Sequence, residues 1–191
     1  IICMREGTIE QVGSARELYR FPANRFVADF IGVATFLDGT IVRKDGGDKA
    51  LVRLAGGIEL WSASAAPHPE QRDVTVSLRP ENVALSQSRP EGPNVLTGTI
   101  LYESFLGGHT EYVVDVGGFH LKSRSLDDLA VGSRVFASID PQKVICLPRQ
   151  VVTGAAGPVE ASKAARRGCR GRAREQHQPQ EPRFGSGAEE E

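Results

Sequence analysis

The segment VSLRPENVAL, Val76 to Leu85, places Arg79 and Glu81 on either side of a proline between two short apolar runs. A guanidinium and a carboxylate this close can form a polar binding site, or they can be the charged residues of a turn. The rest of the chain must decide between these interpretations.

The histidines and cysteines, which could bind metal or form disulfides, are not grouped in the sequence. The histidines have no spacing typical of zinc, and the cysteines form neither a CxxC pair nor an even set. The sequence therefore predicts no metal site, no disulfide framework and a reducing compartment. The residues concerned are His68, His109, His120 and His177, and Cys3, Cys146 and Cys169.

Motifs for nucleotide binding and nucleophilic catalysis are missing from the 191 residues. Neither G-x-x-x-x-G-K-[ST], G-x-G-x-x-G nor G-x-S-x-G occurs. Pairs of glycines begin at positions 46, 56, 107 and 117, between strand-like runs, and we interpret them as hairpin turns. The sequence thus predicts no catalytic residue and no bound cofactor.

Composition and charge are those of an ordinary globular protein. The net charge is −1, and residues 1–150 carry 16 Lys and Arg against 18 Asp and Glu. A slightly acidic folded region has no general attraction for nucleic acid. No apolar run approaches the roughly 18 residues of a membrane helix. The opening IICMREG lacks an initiator Met and is not a signal peptide. We therefore expect that this sequence begins part-way through a longer chain.

The first 32 residues predict a β-hairpin followed by two short helices. Gly7 marks the hairpin turn, and Ser14 with Glu17 forms a capping-box pattern that begins the first helix. In the second helix Phe26, Val27, Phe30 and Ile31 share one face, and Gly32 ends it.

From Phe36 onward, short strand-like runs form a small all-β module that occurs twice. The two copies lie 59 to 61 residues apart, about 36–86 and 95–148, with the polar, proline-containing SQSRPEGPN between them. The matching segments are FLDGTIV and VLTGTIL, VRLAGGIEL and VDVGGFHL, and DVTVSLRPENVAL and SRVFASIDPQKVICL.

Residues 149–191 lose this pattern. They are poor in large apolar residues and rich in Arg, Gly, Pro and Glu, which predicts a disordered tail. The basic group from Lys163 to Arg174 is best explained as part of that charged tail.

The residues from IICMREG to FVADFIG resemble the end of the nucleotide-binding domain in the ATP-binding subunit of an ABC importer. In this family a strand, a turn of REG type and a strand ending in QVG precede helices with ELY..P and FVA.FIG patterns. The repeated β module resembles the TOBE regulatory domain of the same subunits, an oligobinding fold similar to molybdate-binding (MOP-like) modules. LRPENVAL matches the family's RPE element, and ESFLGGHTEYVVDV matches its YLG..TEY element.

This resemblance implies three parts: residues 1–32 end the nucleotide-binding domain, 33–148 form the TOBE domain, and 149–191 form the tail. It implies a regulatory and dimerising role in import, with a second subunit and the membrane permease as partners. The subunit would be cytoplasmic, held at the inner face of the membrane by the permease. ATP and Mg²⁺ would bind an upstream domain, so this chain should not be an enzyme. The FLGGHTEY and SIDPQKV segments resemble most the corresponding segments in importers of polyamines or ferric iron. Importers of sugars and phosphonates come second in this resemblance.

Two other functions are open. Similarity to the molybdate modules implies a stand-alone binder of a small oxyanion, for which Arg79, Lys122 and Arg124 are candidates. An oligobinding barrel can also bind single-stranded nucleic acid through exposed aromatic residues. We expect no nucleic-acid partner, because the aromatic residues are better explained as core or cross-strand residues; they are Trp61, Tyr102, Phe105 and Tyr112.

The repeat clarifies the role of Arg79 and Glu81. Pro80 returns in the second copy as Pro141, whereas Asp140 and Gln142 replace the charged pair. Both copies therefore share a corner between two strands, built on a proline. Arg79 and Glu81 belong to the first copy alone, and our hypothesis is that they contact a dimer or domain interface.

Overall fold

The computed structural model describes residues 1–63 and 72–149. In these ranges the protein is mainly β with two short helices, as the sequence predicts. The predicted disordered tail lies outside the described residues, apart from Arg149. No helix in the described ranges is long and apolar enough to cross a bilayer. The elements are β1 (Ile2–Arg5), β2 (Thr8–Val12), α1 (Ala15–Arg20), α2 (Arg25–Ile31), β3 (Thr35–Lys44), β4 (Ala50–Leu54), β5 (Glu59–Ser62), β6 (Asp73–Leu78), β7 (Val83–Ser86), β8 (Val95–Phe105), β9 (Thr110–Val116), β10 (Phe119–Ser125), β11 (Arg134–Ile139) and β12 (Ile145–Pro148).

The N-terminal segment is a β1–β2 hairpin followed by α1 and α2. The predicted capping box is present: Ser14 N donates to Glu17 Oε2 at 2.7 Å, and Glu17 N donates to Ser14 Oγ at 3.3 Å. These hydrogen bonds lower the pKa of the Glu17 carboxyl. Of the predicted apolar face of α2, Val27 is buried, whereas Phe30 is 68% exposed. A seven-residue helix thus covers only part of its apolar face in the described structure.

Two five-stranded antiparallel sheets follow. One has the order β12-β6-β3-β4-β5, and the other has the order β10-β9-β8-β11-β7. The glycine pairs lie in the β3–β4, β4–β5, β8–β9 and β9–β10 connections, so their interpretation as hairpin turns is confirmed. A three-residue 3-10 turn precedes β7 at Pro80–Asn82, and another precedes β12 at Pro141–Lys143.

The structure reproduces the sequence repeat in detail. The pairing of β3 with β4 skips Val42, and the pairing of β8 with β9 skips Leu101, so both copies carry a bulge at positions 59 residues apart. A bulge bends its strand and increases the local twist, which lets a small sheet curl into an oligobinding-like form. The shared bulge is therefore part of what the two copies encode.

The two copies exchange their last strands. β7 comes from the first copy but pairs with β11, and β12 comes from the second copy but pairs with β6. Each proline corner thus transfers the chain from one sheet to the other. Each sheet is completed by a strand from the opposite half of the sequence.

One hydrophobic core joins both sheets. Residues from each copy pack in the same buried cluster, which includes Val76, Leu78, Ile100 and Val114. Polar side chains also bridge the copies, since Ser62 Oγ donates to the Val144 carbonyl at 2.7 Å. Asn94, 2% exposed, accepts from Trp61 N at 2.7 Å and donates to Trp61 O at 2.8 Å, so its amide pairs with the edge strand β5. The segment that connects the two copies is therefore attached to β5 through the side chain of Asn94.

A glycine at the same position of each repeat permits close packing of neighbouring strands. A β-carbon at Gly98 would lie 2.5 Å from Val114 Cγ1 and 2.6 Å from the Asp115 carbonyl oxygen. A β-carbon at Gly39 would lie 2.7 Å from Val52 Cγ1. These distances are too short for a side chain unless neighbouring atoms shift, so the glycine shared by FLDGTIV and VLTGTIL has a steric cause.

Replacement of Gly98 by alanine is expected to lower the free energy of unfolding by about 1–3 kcal/mol, because β8 and β9 must move apart. The measurement is urea unfolding followed by circular dichroism. Gly108→Ala is the matched control, since a β-carbon there meets no atom within 4 Å. Equal midpoints for the two variants would contradict this explanation.

A candidate regulatory site at the first strand corner

Arg79 lies at the end of β6, immediately before the first proline corner, and is 2% exposed. Its guanidinium lies over the ring of Tyr19 in α1, with 3.8 Å between the guanidinium carbon and the ring centroid. The side chain therefore extends from the β module into the N-terminal segment.

Three backbone carbonyl groups of the N-terminal segment accept from this guanidinium. Nη2 donates to Tyr19 O at 3.4 Å and to Ala28 O at 3.5 Å, and Nη1 donates to Val33 O at 3.5 Å. These carbonyls belong to α1, α2 and the residues just after α2. A cation near helix C-termini is favourable because the last carbonyls lack partners within the helix. Arg79 thus holds the ends of both helices against the β module.

No carboxylate forms an ion pair with Arg79 among residues 1–63 and 72–149. Burial lowers the pKa of the Arg79 guanidinium, although an arginine in a protein stays protonated. Neutral carbonyls and one aromatic face therefore surround a buried charge. Gly32 contributes to this packing, because a β-carbon there would lie 3.0 Å from Arg79 Nη1.

Glu81 does not join this contact. It is exposed in the 3-10 turn, whereas Pro80 is buried. In the second copy Asp140 caps its own turn, since Asp140 Oδ1 accepts from Gln142 N at 2.9 Å. Equivalent positions of the two corners thus differ: Asp140 acts locally, and Arg79 makes long-range contacts.

A cavity of about 400 Å³ lies where α1 meets the two corners. Its lining combines cationic, amide and aromatic side chains from both copies and the N-terminal segment. The lining residues are Tyr19, Arg20, Phe21, Arg79, Glu81, Asn82, Gln142, Lys143 and Ile145.

The three residues predicted for an oxyanion site do not share a contact in the structure. Lys122 and Arg124 are exposed on β10, on the opposite face of the strand from the buried Ser123. Arg124 forms an ion pair with Glu111, with 2.9 Å between Nη2 and Oε1. Ser123 faces inward, and its Oγ donates to the Val83 carbonyl at 2.6 Å.

No motif in the sequence points directly to Arg20 and Lys143 as residues of this cavity. Asn82 and Lys143 occupy equivalent positions of the two copies, 61 residues apart. The equivalence of these two positions indicates a shared cavity only when the exchange of β7 and β12 is known. Periodicity alone does not reveal such an exchange, because it leaves the pairing of strands undetermined.

The aromatic residues follow the expectation in part. Tyr112 is fully buried, and Trp61 is covered by Arg43, with 4.6 Å between the guanidinium carbon and the ring centroid. Tyr102 and Phe105 occupy cross-strand positions but are exposed, because the β8–β9 hairpin extends beyond the core. Their assignment to the core would be wrong.

Cysteines and acidic residues form no further site in the described ranges. Cys3 and Cys146 are buried free thiols, and burial raises the pKa of the Cys146 thiol. Among residues 1–63 and 72–149, no three His, Cys, Asp or Glu side chains are grouped so that they could hold a metal ion.

Comparison with solved structures supports the fold. The cytoplasmic molybdate-binding protein ModG aligns with a TM-score of 0.52 and 20% identity, over 60% of this chain and 96% of that chain. At this identity the likeness concerns the architecture alone. It agrees with a duplicated, oligobinding-like β module.

Comparison of sequences shows which proteins this chain is similar to. Residues 76–147 match the TOBE domain. The Spermidine/putrescine import ATP-binding protein PotA of Rubrobacter xylanophilus is 36% identical over 118 residues, 60% of this chain and 30% of that protein. The Fe(3+) ions import ATP-binding protein FbpC of Brucella suis is 35% identical over 115 residues, 60% of this chain and 31% of that protein. PotA of Frankia alni is 34% identical over 167 residues, 79% of this chain and 36% of that protein.

The chain spans about a third of the length of these curated relatives. The aligned part is their C-terminal region and does not include the ATPase domain. The chain therefore contains a TOBE domain and matches the C-terminal portion of ABC importer ATP-binding subunits.

Proposed function

We propose that this chain is the regulatory and dimerising part of a subunit that drives the import of a small solute. The observation that supports this role is the Arg79 contact, which ties the β module to both short helices of the N-terminal segment. A displacement of the module would move the helix ends with it. Such a connection suits a domain that adjusts the activity of an ATPase preceding it in sequence.

The partners follow from the same proposal. A second copy of the subunit and the membrane permease would complete the transporter, and the subunit would lie at the cytoplasmic face of the membrane. ATP and Mg²⁺ would bind the domain that precedes this region in the relatives. Dimerisation through the β module is supported by β12, an outer strand that pairs on one side with β6 and on its other side with no strand in the described structure.

The transported solute is a polyamine or ferric iron in this proposal. The relatives above are named for spermidine and putrescine or for Fe(3+). Both names occur at 35–36% identity, so the C-terminal region does not separate the two. This agrees with specificity that lies in other components of an importer.

Three measurements test the proposed function. The reading frame upstream of Ile1 is expected to encode a phosphate-binding loop, and an in-frame stop codon there would contradict the proposal. The purified 191-residue chain is expected to show no ATPase activity above background, and turnover that disappears on removal of Mg²⁺ would refute this. Sedimentation velocity of the same sample tests dimerisation, and a monomer at all concentrations would exclude a dimerising role.

A further inference from the structure

The cavity at the junction of α1 and the two corners is cationic. Arg20, Arg79 and Lys143 line it, and Glu81 is the one acidic residue among its described lining residues. Arg20 and Lys143 are exposed and form no ion pair within residues 1–63 and 72–149. The described lining of the cavity therefore carries three cationic side chains against one carboxylate.

Arg79 brings an unused donor to this region. Its Nη atoms donate to helix carbonyls, but its buried Nε finds no acceptor in the described structure. A buried donor without an acceptor is unfavourable, and hydrogen bonds between charged groups are among the strongest in proteins. This Nε is covered by protein atoms, so an anion in the cavity would be attracted by the charge of the Arg79 guanidinium rather than bound by this donor.

The other lining groups suit a ligand larger than a bare ion. Asn82 and Gln142 each carry an amide that can donate or accept, and Tyr19 presents an aromatic ring. A volume of about 400 Å³ falls within the range of small-molecule pockets. A phosphate group alone would fill only part of this space.

We propose that the cavity binds a small molecule carrying a phosphate group, which is held by Arg20 and Lys143 and attracted by the buried charge of Arg79. The bound molecule would contact α1 and both proline corners at once. It would therefore fix the N-terminal segment relative to the two exchanged strands. Binding itself does not depend on the proposed function; its use as a regulatory signal does.

The experiment is titration calorimetry of the 191-residue chain with inorganic phosphate and glycerol 3-phosphate at low ionic strength, with glycerol as the neutral probe. We expect saturable binding of both phosphates, tighter for glycerol 3-phosphate, and none of glycerol. Lys143→Ala and Arg20→Ala should each weaken binding by about tenfold, because each removes a charged hydrogen-bond donor. Lys122→Ala is the matched control, since this exposed lysine lies on β10 outside the cavity.

Several outcomes would overturn the proposal. No saturable binding of either phosphate would do so, as would equal losses in Lys122→Ala and Lys143→Ala. A loss in Lys122→Ala alone would place an anion on the β10 surface instead. Circular dichroism of each variant shows whether it is folded, and both cationic variants are expected to fold because their side chains are exposed. Absence of phosphate binding would not change the result expected for the upstream reading frame or for the ATPase assay. It is therefore distinguishable from a failure of the proposed function.

Discussion

A chain that ends at Asp140 is expected to lose its cooperative unfolding transition. The truncation removes the second corner and β12, including Cys146 and Leu147, which are 3% and 2% exposed. It also removes the ladder that pairs Ile145–Pro148 with β6. Lost apolar burial and lost hydrogen bonds together amount to roughly 5–8 kcal/mol, which is comparable to the whole stability of an ordinary domain.

The matched control is a chain that ends at Arg149, just after β12. It removes only residues beyond the described ranges, and we expect it to keep the unfolding transition of the 191-residue chain. Thermal unfolding followed by circular dichroism distinguishes the two truncations. If the chain ending at Asp140 unfolded as cooperatively as the control, β12 would not be an essential strand of the first sheet.

Replacement of Arg79 by alanine is the point mutation with the largest expected effect, a loss of about 3–5 kcal/mol. The change removes a buried side chain that stacks on Tyr19, and it deprives three carbonyl groups of their donor. The N-terminal segment should separate from the β module before the module itself unfolds. Hydrogen exchange read by mass spectrometry is therefore expected to rise first in residues 1–32.

Arg89→Ala serves as the control for this variant. Arg89 also lies over an aromatic ring, 5.9 Å from the centroid of Phe136, but it is exposed. Its loss should change the free energy of unfolding by no more than about 0.5 kcal/mol. Uniform exchange across Arg79→Ala, with no early opening of residues 1–32, would show that Arg79 does not couple the two parts.

Local signals in the sequence predict the elements of this fold well. The Ser14 and Glu17 capping box, the glycine turns and the repeat period all depend on neighbouring residues, and the structure confirms them. The exchange of β7 and β12 depends on long-range pairing, and both copies would show the same period without it. The repeat therefore revealed two modules but not how they are interlocked.

The candidate site shows the same limit. The sequence singled out Arg79, but its burial against Tyr19 requires the helices to lie beside the first corner. The sequence marks Glu81 as an equal candidate for an interface contact, but in the structure this residue is exposed. Adjacency in a turn does not place two side chains in the same environment, because the proline between them redirects the chain.

The exchanged strands also impose an order on synthesis. β6 leaves the ribosome about seventy residues before β12, the strand that pairs with its free edge. During that interval the growing chain presents an open edge next to apolar side chains, a state that favours pairing with other chains. The first sheet of this protein can therefore be completed only when nearly all of the described region has been made.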